Sequence, residues 1–513
     1  MNKFKCLLFS SVLAVMPVCM HAQRTSSEDT SKPRVIITCD PELDDLNSLI
    51  RFLLFSTDFR VEGLIYASSR FHWKGDGLGT RQFIPGREYD SNGLKLGPQQ
   101  SWRWDPNERF IDDAVDAYTE AYSNLKVHDA SYPTPEDIKS KVCWGNVEFD
   151  GDFSKDTPGS ELIKNVLLDD EPGLVYVNAW GGGSTIARAL KSIEDIYSKS
   201  SQWEGIREKI IKKTILCLSG DQDDTYAKYV GPFWPELRQQ EMGGMTVGLA
   251  YNCQARASKE NAAFYTPEWM EKNILSKGPF GKLQRVWGDG KQMVKGDVYD
   301  FFGLSGYTVD DLKKMGYVVW TPILQPKNSF LAEGDTYCFL NYIGNGLRGG
   351  EDLSYGGWCG CKTELPDSIK DKDRMAIMKY RMENNTLPDF TAPVMNGLAA
   401  RFLWSSTSDY NKANHYPVIN GAWDIAAAPG EKLKLKYTVT DPDKEDKVTV
   451  KWWQYMSGSF KDKVSVDNPA SANTTFTVPA TAKSGDKIHL VLEATDDGTP
   501  QLNMYHRVII TVK

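Results

Sequence analysis

Histidine is scarce in this chain: six in 513 residues, with His72 and His128 alone between Arg34 and Asn414. That shortage, and the lack of a Gly-x-Ser-x-Gly elbow, disfavours a Ser-His-Asp hydrolase. A zinc hydrolase fails for the same want of ligands. Cys359-Gly360-Cys361 has no second pair or His cluster beside it, which leaves a disulfide or two reduced thiols. Positive charge is also short: 60 Lys and Arg against 68 Asp and Glu give a net charge of -8 and a pI near 5.5. A nucleic acid polymer is therefore a poor partner. Beyond the N-terminus no run is long and apolar enough to span a membrane.

The one apolar run, Cys6 to Val18, follows Lys3 and Lys5 and precedes His21-Ala22-Gln23. It is too short for a span and is interrupted by Pro17, so residues 1–22 read as a cleavable signal peptide and the chain as secreted or periplasmic. Residues 23–33 are polar and read as a linker. Without Cys6 and Cys19 seven cysteines remain, an odd number that leaves at least one free thiol.

What the chain does have is acid at the end of a strand. Val35-Ile36-Ile37 runs through Thr38 and Cys39 into Asp40-Pro41-Glu42-Leu43-Asp44-Asp45, and Leu46, Leu49, Ile50 and Leu53 then recur at helical spacing. The pattern predicts a buried strand, a tight turn and a helix carrying Asp44 and Asp45 in its first turn. Acids there favour the positive end of a helix dipole. Four carboxylates converging at a strand's carboxyl end, where open α/β sheets bind ligands, point further, to a cation. All-oxygen donors select calcium or magnesium.

Asp40-Pro41-x-x-Asp44-Asp45 resembles the Asp-Pro-Gly-x-Asp-Asp signature of the nucleoside hydrolases, with Glu42 in place of the glycine and Thr38 where another Asp is common. Tyr132-Pro133-Thr134-Pro135, Glu333-Gly334-Asp335-Thr336 and the β-rich tail resemble a narrower group, the secreted nucleoside-hydrolase-like proteins labelled cellulose-binding. The resemblance implies an open, mostly parallel α/β sheet over residues 34–410. It also implies one calcium ion held by Asp40, Asp45 and Asp335 with the Ser184 carbonyl. Asp40 would activate water, and Asp44 would orient ring hydroxyls. Ser184 enters through Trp180-Gly181-Gly182-Gly183-Ser184-Thr185, which matches the place of the family's Gly-Pro-Leu-Thr-Asn turn. Gly334 stands where a His often protonates the leaving base.

Further strand-end loops add candidates. Phe59 to Ala67 predicts a second strand ending near His72; in the nucleoside hydrolases the matching loop faces the sugar, so the resemblance makes His72 a substrate-binding candidate by its place. Leu174 to Ala179 and Thr214 to Ser219 predict two more, the latter ending in Asp221-Gln222-Asp223-Asp224. Asp223 and Asp224 are either substrate ligands or a solvated acidic turn. Met245 to Leu249 and Tyr317 to Trp320 are further strand candidates. Leu353 to Trp358 reads as an aromatic rim, with Trp358 placed to stack on a sugar face. From residue 416 to 513 the pattern turns to short alternating strands with no cysteine, predicting a smaller all-β sandwich of immunoglobulin type.

Two functions fit. One is a secreted calcium-dependent hydrolase of an N-glycosyl or related glycoside; the other is a non-catalytic carbohydrate- or cellulose-binding protein on the same fold. The partner in either case is a small glycoside or a polysaccharide, and the oligomeric state is not written in the sequence.

Overall fold

The computed structural model describes residues 32–240, 247–321, 324–361, 365–370, 376–377, 379–380, 384 and 387–513. The signal-peptide segment, most of the linker, and Met245 and Thr246 lie outside the described residues. Six strands form one sheet: β1 Arg34–Cys39, β2 Arg60–Tyr66, β3 Val142–Trp144, β4 Val175–Ala179, β5 Thr214–Leu218 and β6 Arg238–Gln239. Their order is β3-β2-β1-β4-β5-β6 and every pairing is parallel. The chain leaves β1 towards one edge, returns to β4 and then moves towards the other. The crevice outside β1 and β4 is thus a topological switch point, the place where such sheets bind ligands.

All six residues of β1 are buried, as expected for a central strand covered on both faces. Side chains alternate between the faces of a strand. Val35, Ile37 and Cys39 enter one core with Leu46, Leu49, Ile50 and Leu53 of helix α1 (Leu43–Leu54). Ile36 enters the other, with Ile163 and Leu167 of a helix at Pro158–Leu168 and Ile186, Leu190 and Ile193 of a helix at Ser184–Tyr197. Each fully buried Ile or Val contributes roughly 1.5–3 kcal/mol, so this strand is fixed in register by both cores. α1 begins as expected: Glu42 is extended at its N-cap, and Asp44 and Asp45 lie in its first turn.

Tyr317 to Trp320 forms no strand; Val318 makes a single backbone bond to Val298 and packs with the Trp73 and Tyr299 cluster, while Tyr317 and Val319 pack with the Trp287 and Phe302 cluster. Val247 to Leu249, the described part of the other candidate, is irregular as well. The third and sixth strands, at three and two residues, are too short for a strand period to show in the sequence.

The C-terminal region carries strands β7 Val418–Asn420, β8 Asp424–Ala427, β9 Lys432–Lys436, β10 Thr438–Thr440, β11 Thr449–Gln454, β12 Asn473–Thr477, β13 Lys487–Thr495 and β14 Asn503–Val512. They pair as β11-β13-β14-β8, β12-β9 and β10-β7, antiparallel except for β14 with β8, around a core of Leu435, Trp452, Phe476, Leu490 and Val508. The sandwich docks on the α/β part. Tyr455 Oη donates to the Gly357 carbonyl at 3.1 Å, Arg507 Nη1 to the Tyr355 carbonyl at 3.0 Å, and Tyr505 N to the Asn345 carbonyl at 3.0 Å. No disulfide joins the seven cysteines of the described residues, Cys359 and Cys361 included.

Candidate functional site

The turn after β1 carries Asp40 into the crevice, fully buried. Its Oδ2 accepts a hydrogen bond from Ser69 Oγ at 2.6 Å and lies 2.7 Å from His72 Nδ1. Ser69 Oγ in turn accepts from the backbone N–H groups of Phe71 and His72, so the loop after β2 wraps its own donors around one carboxylate oxygen. Asp40 Oδ1 has no hydrogen-bond partner among the described residues, although it is buried. An orphaned buried carboxylate oxygen is costly unless something else meets it.

The next turn of chain brings more acid. Asp45 Oδ1 accepts from the Asp40 backbone N–H at 3.2 Å. Asp44 Oδ1 and Glu42 Oε1 both accept from the Tyr251 hydroxyl, at 3.2 and 3.3 Å. The ligand atoms of Glu42, Asp44 and Asp45 fall within 4.8 Å of one another, as do those of Asp40, Glu42 and His72. Asp335 comes in from a 3-10 turn at Gly334–Cys338, buried, with the Asp45 carboxyl and the Ser219 hydroxyl as neighbours. The electrostatics follow from burial and crowding. Burial, then the carboxylates of Glu42 and Asp40, push the Asp335 carboxyl up to about 8. Glu42 is likewise pushed up to about 8 by burial and by Asp44. Asp44 and Asp45 are raised by burial and by Asp335. No Lys or Arg ion pair meets Glu42, Asp44, Asp45 or Asp335 among the described residues.

A cation fits this donor set. The oxygens are hard, they crowd one another, and one of them is buried bare. The glycine turn after β4 approaches closest there: a Cβ on Gly181 would stand 2.3 Å from Asp40 Oδ1. Ser184 opens the helix at Ser184–Tyr197, its N–H donating to Asp223 Oδ2 at 2.9 Å; the turn residue brought against Asp40 is Gly181.

Asp40, Asp44, Asp45, Asp335 and His72 are therefore assembled in one crevice. Asp223, Asp224 and Trp358 are placed otherwise. Asp223 is buried, and its oxygens accept from Ser184 N, Thr225 N and Thr225 Oγ1, locking the β4 turn to the β5 loop. Asp224 pairs with Arg70 at 2.9 Å and Arg87 at 2.8 Å, so its carboxylate ties loops together. Trp358 is no rim residue: it is 1% exposed, packed in the main core with its Cη2 facing Gly397. The loop that bears it is covered by the helix at Thr391–Ser406 and by the sandwich, which a sequence pattern of aromatics does not reveal.

Several contributors escaped the sequence reading. Ser69 stands three residues before His72, in a loop already singled out. Tyr251 lies in the variable middle without any motif. Its ring packs edge to face with Trp320, which is 43% exposed, at 4.9 Å between centroids. Beneath the site Arg51 and Glu333 form a fully buried ion pair that holds α1 to the Gly334–Cys338 turn.

A family model described as cellulose-binding Sde182, nucleoside hydrolase-like domain, matches residues 34–361, and one described as the C-terminal domain of cellulose-binding protein Sde0182 matches residues 432–512. A solved structure from Saccharophagus degradans, described as a nucleoside hydrolase-related hypothetical protein associated with carbohydrate metabolism, aligns with a TM-score of 0.67 at 23% identity. It covers 94% of this chain and 100% of its own. At that identity the likeness speaks for the fold. No curated protein matches.

Proposed function

The chain belongs to the cellulose-binding Sde182 nucleoside hydrolase-like family, and from that premise we propose that its acidic crevice is the active site of a secreted calcium-dependent hydrolase of an N-glycosyl or related glycoside. The observation that carries this reading is the bare Asp40 Oδ1 among crowded carboxyls. Asp40, Asp45 and Asp335 would hold the ion, with the Ser184 carbonyl by the family resemblance. When bound, calcium supplies the positive charge that lets these acids ionise together and draws sugar oxygens and a water into the crevice.

The chain's own groups do the rest. Ser69 and His72 fix the orientation of the Asp40 carboxylate, leaving Oδ1 to take a proton from the attacking water. The water's oxygen adds to the anomeric carbon as the bond to the leaving group breaks, through an oxocarbenium-like state. Asp44, held by the Tyr251 hydroxyl, orients ring hydroxyls. The segments 34–410 and 416–513 are read as the catalytic unit and an immunoglobulin-like sandwich, and the Met1–Ala22 leader as the route out of the cytoplasm.

One observation favours a second reading, a carbohydrate-binding protein without turnover. Gly334 offers no acid to the leaving group, and a Cβ there would stand 2.5 Å from Asp44 Oδ2, so a side chain at this position requires Asp44 to move. The test is a product assay on a panel of nucleosides and plant-type glycosides, with and without chelator. Chelator-sensitive release of a free sugar supports the hydrolase. Saturable sugar binding without release across the panel supports the binder.

A further inference from the structure

Glu42 stands where the motif it resembles has glycine, so the family's ligand set has no counterpart of it. The backbone explains how a side chain there reaches the crevice. Pro41, whose ring holds φ at about -65°, lies between Asp40 and Glu42. The Glu42 N–H donates to the Asp40 carbonyl at 2.7 Å, and a bond from residue i+2 back to i closes a three-residue turn. That turn folds Glu42 back towards Asp40 before α1 begins, with Leu46 N–H donating to the Glu42 carbonyl at 3.2 Å.

An acid at an N-cap ordinarily serves its helix, accepting from the first free N–H groups. Glu42 does not: its side chain makes no capping bond. It lies among the carboxylates instead. Its Oε1 is 3.3 Å from the Tyr251 hydroxyl, which is also 3.2 Å from Asp44 Oδ1, so one proton serves two acids. Asp40, Asp44 and Asp45 are buried while Glu42 is half-buried, so Glu42 closes the group on its solvent side.

Two oxygens bound to one calcium ion, each at about 2.3–2.6 Å, stand no more than about 5 Å apart. At this end of the sheet two groups of three side chains meet that spacing, with ligand atoms within 4.8 Å of one another: Asp40, Glu42 and His72, and Glu42, Asp44 and Asp45. Glu42 is common to both, and it joins Asp40 to the acids of α1. His72 is committed through Nδ1 to Asp40 Oδ2, 2.7 Å away. The oxygens that the first group leaves for a cation are the Glu42 carboxylate and Asp40 Oδ1, which is fully buried and without a partner among the described residues. We propose that Glu42 is a direct ligand of the crevice cation, an anionic donor added to Asp40, Asp45 and Asp335; this rests on the calcium reading and is independent of hydrolysis. An added carboxylate strengthens binding and takes a coordination position that a water otherwise fills.

The experiment is calorimetric titration of the full chain with calcium chloride, beside luminescence lifetimes of bound Tb3+ in H2O and D2O, which count the waters on an ion standing in for calcium. Glu42→Ala and Glu42→Gly, the second restoring the motif's residue, are each expected to bind calcium at least about tenfold more weakly, or ~1.4 kcal/mol. Terbium in each is expected to carry at least about one more water than in the parent, because the lost oxygen leaves a position open. Circular dichroism in chelator identifies the folded variants, and either one decides. Parent-like calcium affinity in a folded variant would overturn the proposal. So would weaker binding with unchanged terbium hydration, the mark of a charge acting from a distance. A parent chain that binds no calcium would instead overturn the calcium reading itself, and the proposal with it.

Discussion

The backbone at Gly181 runs so close to Asp40 that a methyl group on it would stand 2.3 Å from Asp40 Oδ1. The carboxylate cannot swing away cheaply, because Ser69 and His72 hold its other oxygen. Gly181→Ala is therefore expected to remove calcium binding and, because the clash must be relieved in the folded state, to lower the melting temperature of the calcium-free protein as well, by an overpacking cost of about 1–3 kcal/mol. Calorimetry with calcium and a thermal melt in chelator decide it; full calcium affinity in the folded variant would show that Oδ1 is not a ligand.

Asp45 and Asp335 approach from different segments, the first turn of α1 and the Gly334–Cys338 turn. Asp45→Ala and Asp335→Ala should each lower calcium affinity at least about tenfold, a loss of ~1.4 kcal/mol. If both variants titrate like the parent, the ion is held elsewhere.

Asp40→Asn separates base from ligand. The amide keeps an oxygen that the metal can use but cannot take a proton, and base catalysis typically contributes about a hundred- to ten-thousand-fold. Turnover should fall by that order with some calcium affinity retained. Undiminished turnover in Asp40→Asn would refute the base assignment and leave the fold intact.

The Arg51–Glu333 pair is an exercise in burial: both side chains are 1% exposed, and Arg51 also donates to the Val394 carbonyl. Removing one partner of such a pair strands a charge and costs about 3–5 kcal/mol, whereas replacing both by apolar groups costs far less. Glu333→Ala should show the larger loss in urea unfolding, and Arg51→Met with Glu333→Leu should recover most of it. Equal losses in the single and double variants would contradict the account.

Stability should also fall in acid through His489. Burial, aided by the positive charges of Arg507, Lys487 and Arg348 and opposed by Asp352, lowers its ring from 6.5 to about 3. Tyr355 packs against the ring edge to face, and Nδ1 lies 3.0 Å from Ser457 Oγ. Between those two values the unfolded chain binds the extra proton, so stability rises with pH through the window and levels off above about 6.5. At pH 5 the loss is about 2 kcal/mol relative to pH 8. His128, His415 and His506, also lowered by burial, add slope of the same sign. Glu42 and Asp335, pushed up to about 8, give slope of the opposite sign over the same window, so the readout is the difference from the parent chain: His489→Gln should gain denaturant midpoint on the parent as pH falls from 7 to 5, and a constant difference would show that His489 carries none of the pH dependence.

Local chemistry was legible in the sequence wherever cause and effect lie within one segment. The continuous β-branched run Val35-Ile36-Ile37 and the period of 3.6 in Leu46 to Leu53 defined β1 and α1, and the acids between them had to fall at a strand's end. The alternation after residue 416 announced strands for the same reason. Contacts between distant segments were not legible, because nothing in the local pattern encodes them. Ser69 and Tyr251 became part of the site only when parallel pairing brought the β2 loop beside Asp40 and the fold laid residue 251 over Asp44. Asp223 and Trp358 have the composition of ligand contacts, yet packing gave one to a loop lock and the other to the core. Residue type and period set which elements form; the arrangement of the sheet and the docking of the sandwich decide which side chains share a crevice.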